Sequence, residues 1–286
     1  MKLAVLADIH ANEQGMRAVV EHLQRWRPDR VLVAGDVINR GPLPRECLAF
    51  VLDQCEHADW TIVLGNHEEY VLRQAGDHDA TAEMRAVFKP SRWTLDRIGE
   101  LSRAIVQWPF STGFFGPDGG EVRMAHASMQ ATRDGIFANT SDADLARMIM
   151  TPGTQGMTPA LFVVGHTHIP LVRTLRKTLV VNVGAVGMPF DGDRRASYAQ
   201  IEWRSGAWQV EIVRLAYDMA RAERDYADSG FLDEAGPLAR IMLHELRSAR
   251  GLLFEWTRDY EPAVLASATS IGQSVDDFLR AKGLER

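Results

Sequence analysis

A chain of 286 residues with 46% hydrophobic and 24% charged composition is ordinary for a globular protein, which excludes disordered and fibrous classes. Its net charge of −6 supplies no broad basic field, so no extended nucleic-acid surface is expected. No apolar run approaches the ~20 residues that cross a bilayer, and "MKLAVLADIH" meets Asp8 too early for a secretory leader, so no membrane partner and a cytoplasmic location are expected.

The first half of the chain alternates strand-like and helical patterns. "KLAVLAD" reads as a buried strand, and "NEQGMRAVVEHLQRW" follows with Met16, Val19, Val20, Leu23 and Trp26 on one helical face. "DRVLVAGD" is a second strand, "LPRECLAFVLDQC" a second helix and "WTIVLGN" a third strand. Cys47 and Cys55 lack C-x-x-C spacing and are expected as reduced thiols. This alternation predicts parallel pairing with right-handed crossovers. Each strand ends in a polar cluster: Asp8-Ile9-His10, Gly35-Asp36 and Gly65-Asn66-His67. Ligands of open α/β sheets bind beyond the carboxyl ends of strands, so the three clusters are expected to converge on one edge.

Residues 69 to 107 read as mostly helical, with an interruption at Pro90. Seven short strands follow: "FSTGFF", "EVRMAHAS", "LFVVGH", "LVRTL", "TLVVNVG", "ASYAQIEW" and "AWQVEIVRLA". A helix is expected near "SDADLARMIM", and hairpins at "RKT" and "RSGA". From Tyr217 the pattern turns helical again, in "GPLARIMLHELRSARGLLFEW" and "SVDDFLRAKG". The expected fold class is α/β, a two-sheet β-sandwich flanked by helices, the second sheet antiparallel or mixed. Residues 1–216 form its body, and 217–286 a helical C-terminal segment packed on the same domain. Whether that segment covers a pocket, forms a homo-oligomer face or only packs on the sandwich stays open.

Asp8, His10, Asp36, Asn66, His67, His126, His166 and His168 all lie at or just past the end of an apolar strand-like run, and they include five of the nine histidines. His22, His57, His78 and His244 lie elsewhere and read as surface or helix residues. Imidazole nitrogen with carboxylate oxygen suits Mn, Fe, Zn, Co or Ni, whereas all-oxygen sites suit Mg or Ca. One carboxylate can bridge two cations with its two oxygens, about 3.5–4 Å apart. Such a pair activates a shared water and clamps an in-line displacement at phosphorus. His166 and His168 alternate along an extended backbone, so neighbouring metals could each take one.

The ordered motifs "ADIHAN", "AGDVINRGP", "LGNHEE", "MAHAS" and "VGHTHIP", between residue 7 and about 190, resemble those of the calcineurin-like metallophosphoesterase superfamily. The likeness is to its small bacterial phosphodiesterase and phosphoprotein-phosphatase-like branch. The family's four-layer α/β/β/α sandwich agrees with the two-sheet reading, and 1–216 becomes its catalytic domain. The resemblance implies one metal held by Asp8, His10, Asp36 and His168, and another by Asp36, Asn66, His126 and His166, with Asp36 bridging. Two divalent transition-metal ions are implied, Mn first and Fe, Zn, Co or Ni after it. His67 would face the substrate phosphate and help protonate the leaving oxygen. Arg40 would aim its planar fork at the phosphate. The implied activity is hydrolysis of small phosphodiesters or phosphomonoesters by a metal-bound hydroxide, with dinucleoside polyphosphate hydrolysis as the alternative.

The chain also departs from the family pattern. Asn39 stands where protein phosphatases carry an aspartate paired with the catalytic histidine; an amide orients His67 but stabilises its cation less, which weakens a phosphoprotein substrate. "NVGAVG", residues 182 to 187, replaces a family N-P-G-S-V-G stretch, and its glycines are expected to serve tight backbone turns. Asp191, Arg194 and Arg195 read as a pocket rim or a plain charged turn. A non-catalytic scaffold on the same fold is the reading of another class, weakened because every ligand position matches. A nucleotide-binding oxidoreductase is excluded: "DIHANEQG" is no glycine-rich turn, and no Walker pattern occurs.

Overall fold

The computed structural model describes residues 1–76, 80–152 and 158–284. β1 (Lys2–Leu6), α1 (Glu13–Trp26), β2 (Arg30–Val33), α2 (Pro44–His57) and β3 (Trp60–Ile62) form the expected alternating unit, with β1, β2 and β3 paired in parallel. Asn12 caps α1 by accepting the Gly15 N–H at 3.0 Å, and Pro44 opens α2, where a missing N–H leaves no hydrogen bond unmade. α3 (Asn66–Arg73), α4 (Ala82–Val87), α5 (Lys89–Ile98) and α6 (Ser102–Ile105) come next. The expected interruption falls here: α4 ends at Val87, and Pro90 lies in the first turn of α5, where it opens the next helix.

β4 (Ser111–Phe115), β5 (Glu121–Ala125), α7 (Asp142–Ile149), β6 (Leu161–Val164), β7 (Leu171–Leu175), β8 (Thr178–Asn182), β9 (Ala196–Arg204) and β10 (Ala207–Leu215) complete the strands. The second sheet is mixed, in the order β4-β5-β6-β8-β7. β9 and β10 do not join it. β9 lies antiparallel to β1, so the first sheet runs β10-β9-β1-β2-β3. Ala196–Ile201 of β9 are buried without alternation, as befits an interior strand, while β10 alternates and closes the edge. Turns at Arg176-Lys177 and Ser205-Gly206 make the two expected hairpins, with Arg176, Ser205 and Gly206 at positive φ.

Leu3, Val5 and Leu32 of the first sheet meet Met124, Val163 and Val181 of the second to form the core between them. The other face of the first sheet, through Leu6 and Val33, packs on Met16 and Val19 of α1 and Leu48 and Val51 of α2. Phe162 and Val164 turn outward to Leu145 and Met148 of α7. The layers are therefore helix, sheet, sheet, helix. His22, His57 and His244 lie on helices, while His78 falls outside the described residues. Cys47 and Cys55 are free thiols.

α8 (Met219–Asp228), α9 (Phe231–Glu234), α10 (Leu238–Ser248), α11 (Leu252–Asp259), α12 (Glu261–Leu265) and α13 (Ile271–Ala281) surround their own apolar cluster, built on Tyr226, Phe231, Trp256 and Phe278. Val87 and Trp93 of α4 and α5 belong to that cluster, which ties the C-terminal helices to the segment between β3 and β4. Among the described residues no helix is long and apolar enough to cross a membrane. Trp256 is fully buried, so Trp256→Ala is expected to cost about 3–5 kcal/mol and lower the denaturant midpoint. An unchanged midpoint would mean that these helices unfold apart from the sandwich.

Candidate metal centre

Eight residues from five loops arrive at one place. Asp8 and His10 follow β1, Asp36 follows β2, Asn66 and His67 open α3, His126 follows β5, and His166 and His168 follow β6. The loops are locked by backbone hydrogen bonds that cross between them. Asp8 N–H donates to Gly35 O at 3.2 Å, His10 N–H to Asp36 O at 3.0 Å, and Gly165 N–H to His126 O at 2.8 Å. Of fourteen described non-glycine residues at positive φ, eight are Asp8, His10, Ala11, Asp36, Asn39, Arg40, His166 and His168. Left-handed backbone is uncommon for such residues, so its concentration here marks a constrained site.

Each aspartate is tied by one oxygen and bare at the other. Asp8 Oδ2 accepts the His166 N–H at 2.8 Å, and Asp36 Oδ1 accepts the His67 N–H at 2.9 Å. Asp8 Oδ1 and Asp36 Oδ2 are buried without a hydrogen-bond partner. Histidine tautomers explain what faces them. His10 Nδ1 meets Asn39 O at 3.3 Å and His168 Nδ1 meets Met188 O at 2.5 Å; a carbonyl only accepts, so both protons sit on Nδ1. The two Nε2 lone pairs then point at each other across 3.1 Å. His168 Nε2 is 3.2 Å from the bare Asp8 Oδ1, and His10 Nε2 is 3.7 Å from the bare Asp36 Oδ2. One donor atom from each of Asp8, His10, Asp36 and His168 lies within 4.8 Å of the others, all four residues buried. Unprotonated acceptors gathered without donors between them fit a divalent cation.

A second group adjoins the first. His126 Nδ1 donates to Ala34 O at 2.6 Å, which turns Nε2 toward Asn66 Oδ1 at 2.9 Å and Asp36 Oδ2 at 3.3 Å. His166 Nδ1 is 2.9 Å from the same Asn66 Oδ1. Asp36 Oδ2 thus faces both groups, while Oδ1 accepts the His67 N–H. Burial pushes His10 well below its usual value, aided by the neighbouring His67 and His168. Burial acts the same way on His126, but the Asp36 and Asp8 charges override it and carry that imidazole up to about 10. The carboxylates therefore demand a positive charge here, which a proton or a metal can supply.

Glu68 braces this arrangement from below. Its carboxylate accepts the N–H groups of Asp36, Val37, Ile38 and Gly65 at 2.9, 2.8, 3.2 and 3.1 Å. Burial and the Asp36 charge push Glu68 up to about 8, against the pull of those donors. Asn182 holds the GHTH loop, donating to Gly165 O at 2.6 Å and Thr167 Oγ1 at 2.9 Å while accepting the Gly184 N–H at 3.0 Å. The glycine-rich stretch thus has a backbone role, and Met188 O just beyond it orients His168. Arg195 pairs with Asp193 and Arg214 with Asp191, while Asp193, Arg194 and Arg195 also line a surface cavity of about 480 Å³ beside Tyr217.

Asn39 Oδ1 accepts the Arg40 N–H at 3.0 Å and the Thr94 hydroxyl at 3.4 Å, so its Nδ2 must donate to Ser91 Oγ and His67 Nδ1, both at 3.0 Å. His67 therefore keeps its proton on Nε2. Burial, with Arg40 and the nearby histidines, drives His67 down to about 3, so it stays neutral. Arg40 is not a free fork. It is 8% exposed, lies 5.3 Å from the Phe190 ring, and pairs with Glu245 of α10. Sequence spacing gave no sign of Glu245, which lies far along the chain in an ordinary amphipathic helix.

The layered sandwich and its buried donor set define a candidate metalloprotein of the α/β/β/α class. Residues 1–206 match the model of the calcineurin-like phosphoesterase superfamily domain, and the chain belongs to that superfamily. An uncharacterized protein of Methanocaldococcus jannaschii is 26% identical over 239 residues, 77% of this chain and 89% of that protein. The crystal structure of a metallophosphoesterase from Sphaerobacter thermophilus has a similar fold, with a TM-score of 0.66 and 23% identity, covering 87% of this chain and 99% of that one. A hypothetical protein from Pyrococcus horikoshii OT3 aligns with a TM-score of 0.67 and 17% identity over 83% of this chain and 97% of its own. Coverage of 87% is more than residues 1–216 can supply, so the shared fold extends into the C-terminal helices.

A methyl group on Gly65 would fall 2.1 Å from Asp36 Oδ1 and 2.5 Å from Asp36 N. Gly65→Ala should therefore displace Asp36 and lower the metal retained after reconstitution, measured by elemental analysis on folded protein. Full retention would show that the loop absorbs the clash.

Proposed function

We propose that this protein is a dinuclear metal-dependent phosphoesterase acting on small phosphodiesters and phosphomonoesters. The observation that carries this reading is the bare Asp36 Oδ2 between two groups of acceptors, 3.7 Å from His10 Nε2 and 3.3 Å from His126 Nε2. Asp8, His10, Asp36 and His168 would hold one divalent ion, and Asp36, Asn66, His126 and His166 a second. Nitrogen and oxygen donors in this mixture suit Mn, with Fe, Zn, Co or Ni also accommodated. When bound, such a pair supplies a water of lowered pKa and charge neutralisation at phosphorus.

The chain's own residues do the rest. His67 lines the cavity beside the centre with its proton on Nε2, where it can donate to a leaving oxygen. A neutral imidazole is a weak acid, so its help goes to a strongly basic leaving oxygen such as an alkoxide and not to a nitrophenolate. Arg40 lines the same cavity and can orient a phosphate oxygen while Glu245 fixes its plane. Asn39 holds both neighbours in register through its amide. Every expected ligand position is filled by a competent donor, which favours an enzyme over a scaffold.

Asp36→Asn should reduce metal content at both sites, and unchanged stoichiometry would refute the shared ligand. His67→Ala is expected to cost roughly 10²–10⁴ in kcat on an alkyl ester and less on a nitrophenyl ester. Equal losses on the two would count against proton donation. Asn39→Asp puts a carboxylate behind His67, raising its pKa and populating the imidazolium. Its rate on alkyl esters should rise about tenfold relative to nitrophenyl esters, read from the two pH–rate profiles.

A further inference from the structure

The C-terminal helices do more than cover the sandwich. A cavity of about 330 Å³ opens beside the centre, with Asn39, Arg40, Asn66 and His67 at its inner end. Phe88 and Pro90, Met242 of α10, and Leu253 and Phe254 of α11 line it as well. Phe254 is 73% exposed, a large ring left in water at the edge of an otherwise apolar wall.

The charges around this cavity are as informative as its apolar walls. Among the described lining residues Arg40 is the only cation, and Glu245, itself fully buried, already compensates it. The second oxygen of Glu245 accepts the Leu253 N–H at 2.8 Å, so the pair is built into the turn that presents the apolar wall. Glu261 adds a carboxylate to the lining. Beyond the metal ligands and Arg40, a chain of several phosphates entering here would meet no further cation among the described lining residues and would face Glu261. An uncharged ring would instead leave water for contact with Phe88, Met242 and Leu253.

We infer that this cavity receives an apolar, aryl-type group carried on the phosphate, so that the substrates are hydrophobic phosphate esters rather than nucleoside polyphosphates. The inference rests on the phosphoesterase reading for the position of phosphorus at His67 and the metal ligands. α10 and α11 are then the specificity-determining elements.

The test uses the metal-reconstituted full chain and two non-hydrolysable probes with the same head group, phenylphosphonate and methylphosphonate, titrated by calorimetry. Phenylphosphonate should bind about tenfold or more tightly than methylphosphonate. In Leu253→Ser, and separately in Phe254→Ser at the exposed rim, that ratio should fall toward unity. A ratio near unity in the unaltered protein, or one preserved in both variants, overturns the inference while leaving the phosphoesterase reading intact. If neither phosphonate binds the metal-loaded protein, the phosphoesterase reading falls, and the inference with it.

Discussion

The Asp36 carboxylate is the constraint on which the site depends. One oxygen is tied to the His67 N–H, and the other is buried bare between histidines from different sheets, His10 on one side and His126 on the other. A buried carboxylate oxygen without a partner is unfavourable by itself. It persists because its surroundings are rigid: Glu68 gathers four backbone N–H groups beneath the loop, and cross-loop hydrogen bonds fix Asp8 and His10 beside it. The donor set is thus held in place by the packing of two sheets.

The left-handed residues give the same picture in backbone terms. Each costs on the order of 1–3 kcal/mol, and eight of the fourteen described ones cluster at the ligands and at Ala11, Asn39 and Arg40. A β-sandwich suits this load. Its strand ends leave the core side by side, so loops distant in sequence can brace one another through short backbone bonds. The left-handed turns at His10 and His168 also bring their Nε2 atoms to 3.1 Å, closer than two lone pairs tolerate unaided.

Much of this was legible in the sequence, for identifiable reasons. Strand and helix periods are local, so the β-α-β-α-β unit and the hairpins at Arg176 and Ser205 could be read directly. The ligand residues were legible because histidine and aspartate at strand ends are chemically conspicuous. Sheet membership was not, because β9 and β10 carry no mark saying that they return to β1. Nor was the orientation of the Asp36 carboxylate, which depends on where the His67 N–H lies. Glu245 was hidden for a third reason: its partner is distant, and a carboxylate on a helix looks solvated until the tertiary fold buries it.

The buried pair between Arg40 and Glu245 ties the chain's two parts together. Removing one member of such a pair typically costs about 3–5 kcal/mol, since the survivor keeps its charge in a poor solvent. Tyr226 of α8 adds a second tether, its hydroxyl donating to Arg40 O at 3.2 Å. A recombination event that swapped the tail for a cousin's would strand the arginine unless the incoming helix brought an acid to the same spot. A change at Arg40 or at Glu245 alone would therefore be felt in both the sandwich and its tail.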